Sequence, residues 1–97
     1  MTFSFDPEAE DEFHEAIAFY DERREDLGLD FSREVFATID RILDFPQAWP
    51  VIDDDAKRSL VKRFPYGLVY FVEDYEVFIV AVMHLSREPD YWKYRVN

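Results

Sequence analysis

Phe3 and Phe5 alternate with Thr2 and Ser4, the two-residue period of a short strand. The period changes after Asp6-Pro7. The Asp6 carboxylate can serve the free N–H groups of a helix start, and Pro7 fits the first turn, where its missing N–H costs nothing. Glu8, Glu10, Asp11 and Glu12 follow at the end of the helix where the macrodipole favours negative charge. Phe13, Ala16, Ile17, Tyr20 and Leu27 recur at helical spacing, and Gly28 then predicts a left-handed helix stop. A second helix is predicted from near Asp30, with Phe31, Val35, Ile39, Ile42 and Leu43 on one stripe. It ends before Pro46, because the residue preceding a proline is pushed out of the helical region. The short link at Gly28-Leu29 makes the two helices antiparallel neighbours.

Two prolines and the run Asp53-Asp54-Asp55 mark 45–56 as a surface loop. Three β-rich segments follow, 57–64, 68–73 and 77–84. The turn residues Pro65-Tyr66-Gly67 and Asp74-Tyr75 separate them and predict consecutive antiparallel pairing. In the last segment Val77, Ile79, Ala81 and Met83 alternate with Phe78, Val80 and Val82, so both faces are apolar. Leu68, Tyr70 and Val72 stand opposite Val69 and Phe71 in the same way. An antiparallel sheet with one wet face alternates apolar with polar residues, and these strands do not. Both faces of the sheet therefore need cover. The helical hairpin takes one. For the other the chain has only the aromatic tail 88–97, with Tyr91, Trp92 and Tyr94, and the 45–56 segment. Either the tail closes this face unaided or an apolar patch remains as a binding surface, and the second is the expectation.

A chain of 97 residues is expected to be one domain, since domains run to about 100–200 residues. Ten Phe, six Tyr and two Trp within a 48% hydrophobic composition exclude a disordered acidic tail. The formal charge of −11 is unevenly spread. Residues 1–55 hold seventeen acids and four bases, and residues 56–97 hold five acids and seven bases. Bare nucleic acid is repelled by such a protein at long range, so any phosphate-binding patch must lie in the second half. With only three Lys, adaptation to high salt is a bland alternative reading of the acidity. The absence of Cys excludes disulfides and thiolate chemistry. Residues 1–10 show neither the basic start nor the apolar run of a secretory signal. The longest apolar run, 77–83, has seven residues against the ~20 that span a bilayer. A soluble cytoplasmic protein that meets no membrane is the expectation.

The chemistry narrows by exclusion. Gly28 and Gly67 are the only glycines, so there is no glycine-rich phosphate loop. His14-Glu15-Ala16-Ile17-Ala18 begins like a zinc-protease helix, but Ala18 stands where the second His is needed. The other histidine, His84, is 70 positions away. Asp53-Asp54-Asp55 lacks the ligand spacing of a calcium loop, and no metal or cofactor is expected. Glu8/Glu12 and Asp11/Glu15 read as a solvated helix face rather than as acid–base pairs. What remains is Lys57, Arg58, Lys62 and Arg63 on the first long strand, His84 at the end of the last, and Arg87, Tyr91, Trp92, Lys93 and Arg95 beyond it. Cleavage of RNA through its own 2′-hydroxyl needs a proton acceptor, a proton donor and a cation on the phosphate. His84 could serve as acid or base, with Arg87 and Arg63 on the phosphate. The rival readings are a strand-end histidine bonded to backbone, and a basic strand that guards a sheet edge or docks an acidic partner.

A set of short motifs runs through nearly the whole chain. They are Pro7-Glu8-Ala9-Glu10, Glu15-Ala16-Ile17-Ala18-Phe19-Tyr20, Leu27-Gly28-Leu29 with Phe31, then Ile42, Pro46 and Trp49-Pro50. Arg63-Phe64-Pro65-Tyr66 with Val69-Tyr70, Ile79 to Val82, His84-Leu85-Ser86-Arg87 and Pro89-Asp90-Tyr91-Trp92 complete the set. In order and spacing the chain resembles the RelE/ParE family of toxins from type II toxin–antitoxin modules, also called plasmid stabilisation proteins. The resemblance implies an α+β fold of order β-α-α-β-β-β, with an antiparallel helical hairpin on a small, mainly antiparallel sheet. It implies one of two growth-inhibiting activities. RelE-like members are ribosome-dependent mRNA endonucleases, for which His84, Arg87 and Tyr91 would be the catalytic residues and Arg63 and Lys62 the phosphate contacts. ParE-like members inhibit DNA gyrase and perform no chemistry of their own. The Phe-Pro-Tyr turn and the Pro-x-Tyr-Trp ending resemble the ParE-like branch. Ribonuclease members carry an arginine after the turn tyrosine, where Gly67 stands here. The charge of −11 also departs from the usual basic character of the family, which leaves a non-toxic binding module as a third reading. The resemblance further implies a cognate antitoxin laid across the toxin as the second cover of the sheet, with Lys57, Arg58, Tyr70 and Trp92 as its contacts. The helical hairpin could also support a homodimer.

Overall fold

Asp6 turns the chain from strand to helix as the sequence predicts. Its Oδ2 accepts from the Glu8 N–H at 2.9 Å and the Ala9 N–H at 3.3 Å, and Pro7 takes the first helical position. The computed structural model describes residues 1–96, so Asn97, the last residue of the tail, lies outside the described residues. The elements are β1 (Thr2–Phe5), α1 (Pro7–Arg23), α2 (Leu27–Asp44), β2 (Val51–Asp53), β3 (Ala56–Leu60), β4 (Tyr66–Glu73), β5 (Glu76–His84) and a closing 3-10 turn (Lys93–Arg95). The sheet order is β1-β5-β4-β3-β2. β1 runs parallel to β5, and the other pairs are antiparallel. The fold is α+β, with both helices on one face of the sheet. There Phe13, Phe31, Val35, Ile39 and Ile42 pack with Leu68, Tyr70, Val77, Ile79 and Val82.

The link between the helices corrects one expectation. Leu27 opens α2 rather than closing α1, and Gly28 lies inside α2 with no positive φ. The left-handed residue is Asp26, at φ 65°. Glycine is needed at 28 for space: a Cβ there would stand 2.5 Å from the Ile17 carbonyl oxygen and 2.6 Å from Asp21 Oδ1. The Gly28 N–H also donates to Asp21 Oδ1 at 2.8 Å, which holds α2 close against α1. Alanine normally gains about 1 kcal/mol over glycine within a helix. Gly28→Ala is expected to lose about 1–3 kcal/mol instead, as an overpacked contact does, and a urea unfolding midpoint below wild type checks the sign.

The strands differ from the prediction in three places. The 45–56 segment is not all loop, because Val51–Asp53 forms β2 on the edge of β3. Three residues with a register shift are too few to show a period. The first long strand ends at Leu60 rather than at 64. Arg63 adopts φ 71° and Pro65 has no N–H to donate, so the ladder stops and Val61 N–H bonds back to the Tyr66 carbonyl at 2.9 Å. Third, the pairs Val69↔Ala81 and Tyr70↔Ile79 leave Val80 as an extra residue, a β-bulge. Past the bulge the faces exchange. Ala81 and Met83 join Val80 on the face away from the helices, and Val82 turns toward them. An unbroken apolar run carries no mark of such an insertion.

The tail covers most of the second face, more of it than the expectation of a remaining apolar patch allowed for, and leaves one end open. Trp92 is only 2% exposed and packs with Ala56, Val69, Val80, Ala81 and Met83, flanked by Ile52, Tyr91 and Val96. What stays open is a groove of about 740 Å³ at one end of this face, where Phe71 and Phe78 are half-buried.

Candidate functional site

Two of the residues proposed for RNA chemistry, His84 and Arg87, meet where α1 approaches the end of β5. Glu12, Glu15, Ala16 and Phe19 share one face of α1 at helical spacing and form one wall of a shallow cleft of about 210 Å³. Tyr66, Val82, His84 and Arg87 form the other. His84 is half-buried, with its ring edge-on to Tyr66 at a centroid distance of 5.1 Å. Its Nδ1 accepts from the Ser86 N–H at 3.0 Å and lies 2.7 Å from the Ser86 hydroxyl. The neutral ring therefore carries its proton on Nε2. His84 thus takes the geometry of a strand-end histidine capping its own turn. The Arg87 guanidinium carbon lies 3.9 Å from the centre of the Tyr91 ring.

Tyr91 is tied to α1. Its hydroxyl donates to Glu12 Oε2 at 2.5 Å. Burial, reinforced by the Glu12 hydrogen bond and charge, pushes this hydroxyl well above the ordinary tyrosine range, against the opposing pull of Arg95 and Arg87. Burial, followed by the charges of Tyr20 and Glu12, also raises Tyr66.

Glu12 and Arg95 together form the centre of this region, and sequence reasoning missed their pairing. Arg95 Nη1 donates to Glu12 Oε1 at 2.8 Å and Nη2 to Oε2 at 3.1 Å, a two-pronged pair whose side chains are 6% and 15% exposed. Arg95 Nε lies 2.9 Å from Glu8 Oε2 but at an angle that makes no hydrogen bond. The Tyr94 hydroxyl also donates to Glu8. β1 pairs with β5 only as far as Ile79, so the next stretch of β5 has no strand on that side, while β4 continues along the other. Side chains take over there: Arg95 Nη1 donates to the Val80 carbonyl at 3.0 Å, and the Val82 N–H donates to Glu12 Oε1 at 3.1 Å. Glu12 is therefore not part of a solvated helix face, although Glu8, its i−4 neighbour, is. A signal was present, since position 12 falls three after Ala9 and four before Ala16, both buried.

The other candidates are dispersed. Arg63 does not line the cleft and reaches α2 instead, 3.7 Å from Asp30 Oδ2 and 3.7 Å from Glu34 Oε2. Lys62 is exposed beside it. Lys57 and Arg58 are half-buried on β3 and point to opposite faces, Lys57 beside Tyr70 and Arg58 beside Val69. Tyr70 is fully buried and its hydroxyl donates to the Pro46 carbonyl at 2.9 Å, so it has no surface to offer a partner. Trp92 is almost fully buried, with Nε1 donating to the Pro89 carbonyl at 2.8 Å, and it lines the groove left open on the second face. The four residues expected to contact an antitoxin thus form no common surface, because burial and strand alternation separate them. Among the described residues no group of three or more His, Asp or Glu side chains could hold a metal ion, and no helix is long and apolar enough to cross a membrane.

With this geometry in view, the family model for the ParE toxin of the type II toxin–antitoxin system, parDE, matches residues 3–89. The chain belongs to the ParE toxin family. It is the toxin half of a type II toxin–antitoxin pair, a plasmid-stabilisation type of protein, and the family implies a cognate antitoxin. A comparison with curated proteins finds no match. The matched region of this ParE-family chain includes the hairpin, the sheet and the cleft residues His84 and Arg87. It stops before Tyr91, Trp92 and Arg95, which close the second face and tie down the β5 edge.

Proposed function

We propose that this ParE-family toxin arrests growth by binding its target, DNA gyrase, and not by cutting RNA. One observation carries the reading: among the described residues, the cleft that would have to perform phosphodiester chemistry sets a single arginine, Arg87, against Glu15, while its other glutamate, Glu12, is already held by Arg95. Glu15 is exposed and makes no ion pair among the described residues, and a phosphate entering the cleft would meet its charge. The nearby phenol of Tyr91 is held by Glu12, and the position after Tyr66 is Gly67 rather than a phosphate-binding cation. Recognition of a protein target needs no proton transfer and tolerates an acidic surface.

A ribosome-dependent endonuclease remains the second reading, favoured by the fact that His84 and Arg87 do line one cleft. The deciding experiment expresses the chain alone in a bacterial host and compares wild type with His84→Ala and Arg87→Ala. The expected result is growth arrest with broken or tangled DNA, unchanged by either substitution. A positioned acid or base contributes about 100-fold or more to a rate, so an endonuclease would lose its toxicity in these variants and leave mRNA cut at ribosomal positions in wild type. No arrest in any form would support the non-toxic binding module instead.

A further inference from the structure

The groove on the face opposite the helices has a chemistry that the toxin reading does not use. Its floor is apolar, made by Phe71 and Phe78, which are cross-strand partners on β4 and β5, with Trp92 and Val96 from the tail. Its rim is acidic. The end of β2 and the turn after it contribute Asp53, Asp54 and Asp55, and the end of β4 and start of β5 contribute Glu73 and Glu76. Among the described residues Lys93 is the one cation lining it, and its ammonium pairs with Asp53 at 2.5 Å. Asp54, Asp55, Glu73 and Glu76 make no ion pair among the described residues. Glu73 and Glu76 are moreover direct cross-strand partners, a like-charge pairing that works against the sheet. Folding gains nothing from this arrangement. A countercharge from outside would relieve it.

We infer that the groove seats a cationic, apolar-anchored peptide segment of the antitoxin, with a large aliphatic or aromatic side chain on Phe71 and Phe78 and Lys or Arg set between the two acidic turns. The inference rests on the toxin reading for the identity of the partner and on the groove alone for its chemistry. It reverses the expectation of an acidic segment on the 57–63 strand, where Lys57 and Arg58 are half-buried on opposite faces and Arg63 is engaged by α2. An acidic segment, or a nucleic acid, would meet four uncompensated carboxylates at this groove. The cavity volume, about 740 Å³, has room for bulky anchor side chains.

The test titrates the full-length protein, at physiological salt, with a labelled short peptide alternating Leu and Lys and with its Leu–Glu counterpart. The Leu–Lys peptide is expected to bind and the Leu–Glu peptide to fail. Reversing the rim by Glu73→Lys together with Glu76→Lys is expected to weaken binding by roughly tenfold or more, whereas the same change of net charge by Glu22→Lys with Glu25→Lys on the helical side leaves it within about threefold. Asp55→Lys, a single change at the other turn, moves affinity in the same direction as the rim pair and guards against a folding defect in the double variant. No binding of the Leu–Lys peptide, or equal loss from rim and helical-side variants, overturns the inference. Growth arrest is scored separately. Arrest without peptide binding removes this inference alone, and peptide binding without arrest removes the toxin's activity while the groove's chemistry stands.

Discussion

Trp92→Ala is expected to destabilise the protein by about 3–5 kcal/mol, the range for emptying a well-packed aromatic site. The indole is the largest fully buried side chain in the molecule and the main cover of the second sheet face. Its loss leaves Val69, Val80, Ala81 and Met83 facing a cavity or water, frees the Pro89 carbonyl and removes the edge contact to Phe71. Against a total of about 5–15 kcal/mol for a domain, such a loss brings the fold near its threshold. Urea unfolding followed by far-UV circular dichroism measures it, with the exposed Tyr94→Phe as the comparison. A shift of under about 1 kcal/mol for Trp92→Ala would mean that the tail does not close this face.

The second large effect lies at the other end of the tail. Arg95→Ala is expected to cost about 3–5 kcal/mol, because it strands the Glu12 carboxylate in a mostly buried position with its two-pronged partner gone. It also leaves the Val80 carbonyl without its donor on the stretch of β5 that β1 does not reach. The diagnostic is a double-mutant cycle measured by equilibrium unfolding. Glu12→Leu with Arg95→Leu strands no charge and is expected to recover part of the loss, the remainder being the Val80 carbonyl, the Val82 N–H and the Tyr91 hydroxyl that it leaves without partners. Strict additivity of the single effects would show that the two side chains act independently and that the bridge holds nothing in place.

The two halves of the candidate site were unequally legible. His84 and Arg87 could be picked out by residue type, and they do share a cleft. Their surroundings could not. The glutamates that line that cleft lie on α1, some seventy residues earlier in the chain, and the partner that buries Glu12 is 83 positions away. Spacing within a segment says nothing about such pairs, although the buried neighbours Ala9 and Ala16 place position 12 at the edge of the core-facing stripe. Gly28 shows the converse error. A local rule assigned it to a left-handed stop, and the actual constraint is a close approach to the Ile17 carbonyl on the neighbouring helix.

Local chemistry alone determined the helix start at Asp6-Pro7, the two amphipathic helices, the antiparallel run from β3 to β5 and a sheet apolar on both faces. Each of these rests on neighbours a few residues apart, where period, cap and turn residues act directly. Only the tertiary structure decided how the second face would be covered, where β5 would bulge, and that Glu12 would be drawn inside by Arg95. Those outcomes depend on groups that meet only once the chain has folded. Several arrangements satisfy the same hydrophobic pattern, and packing volume and the pairing of buried polar groups select among them.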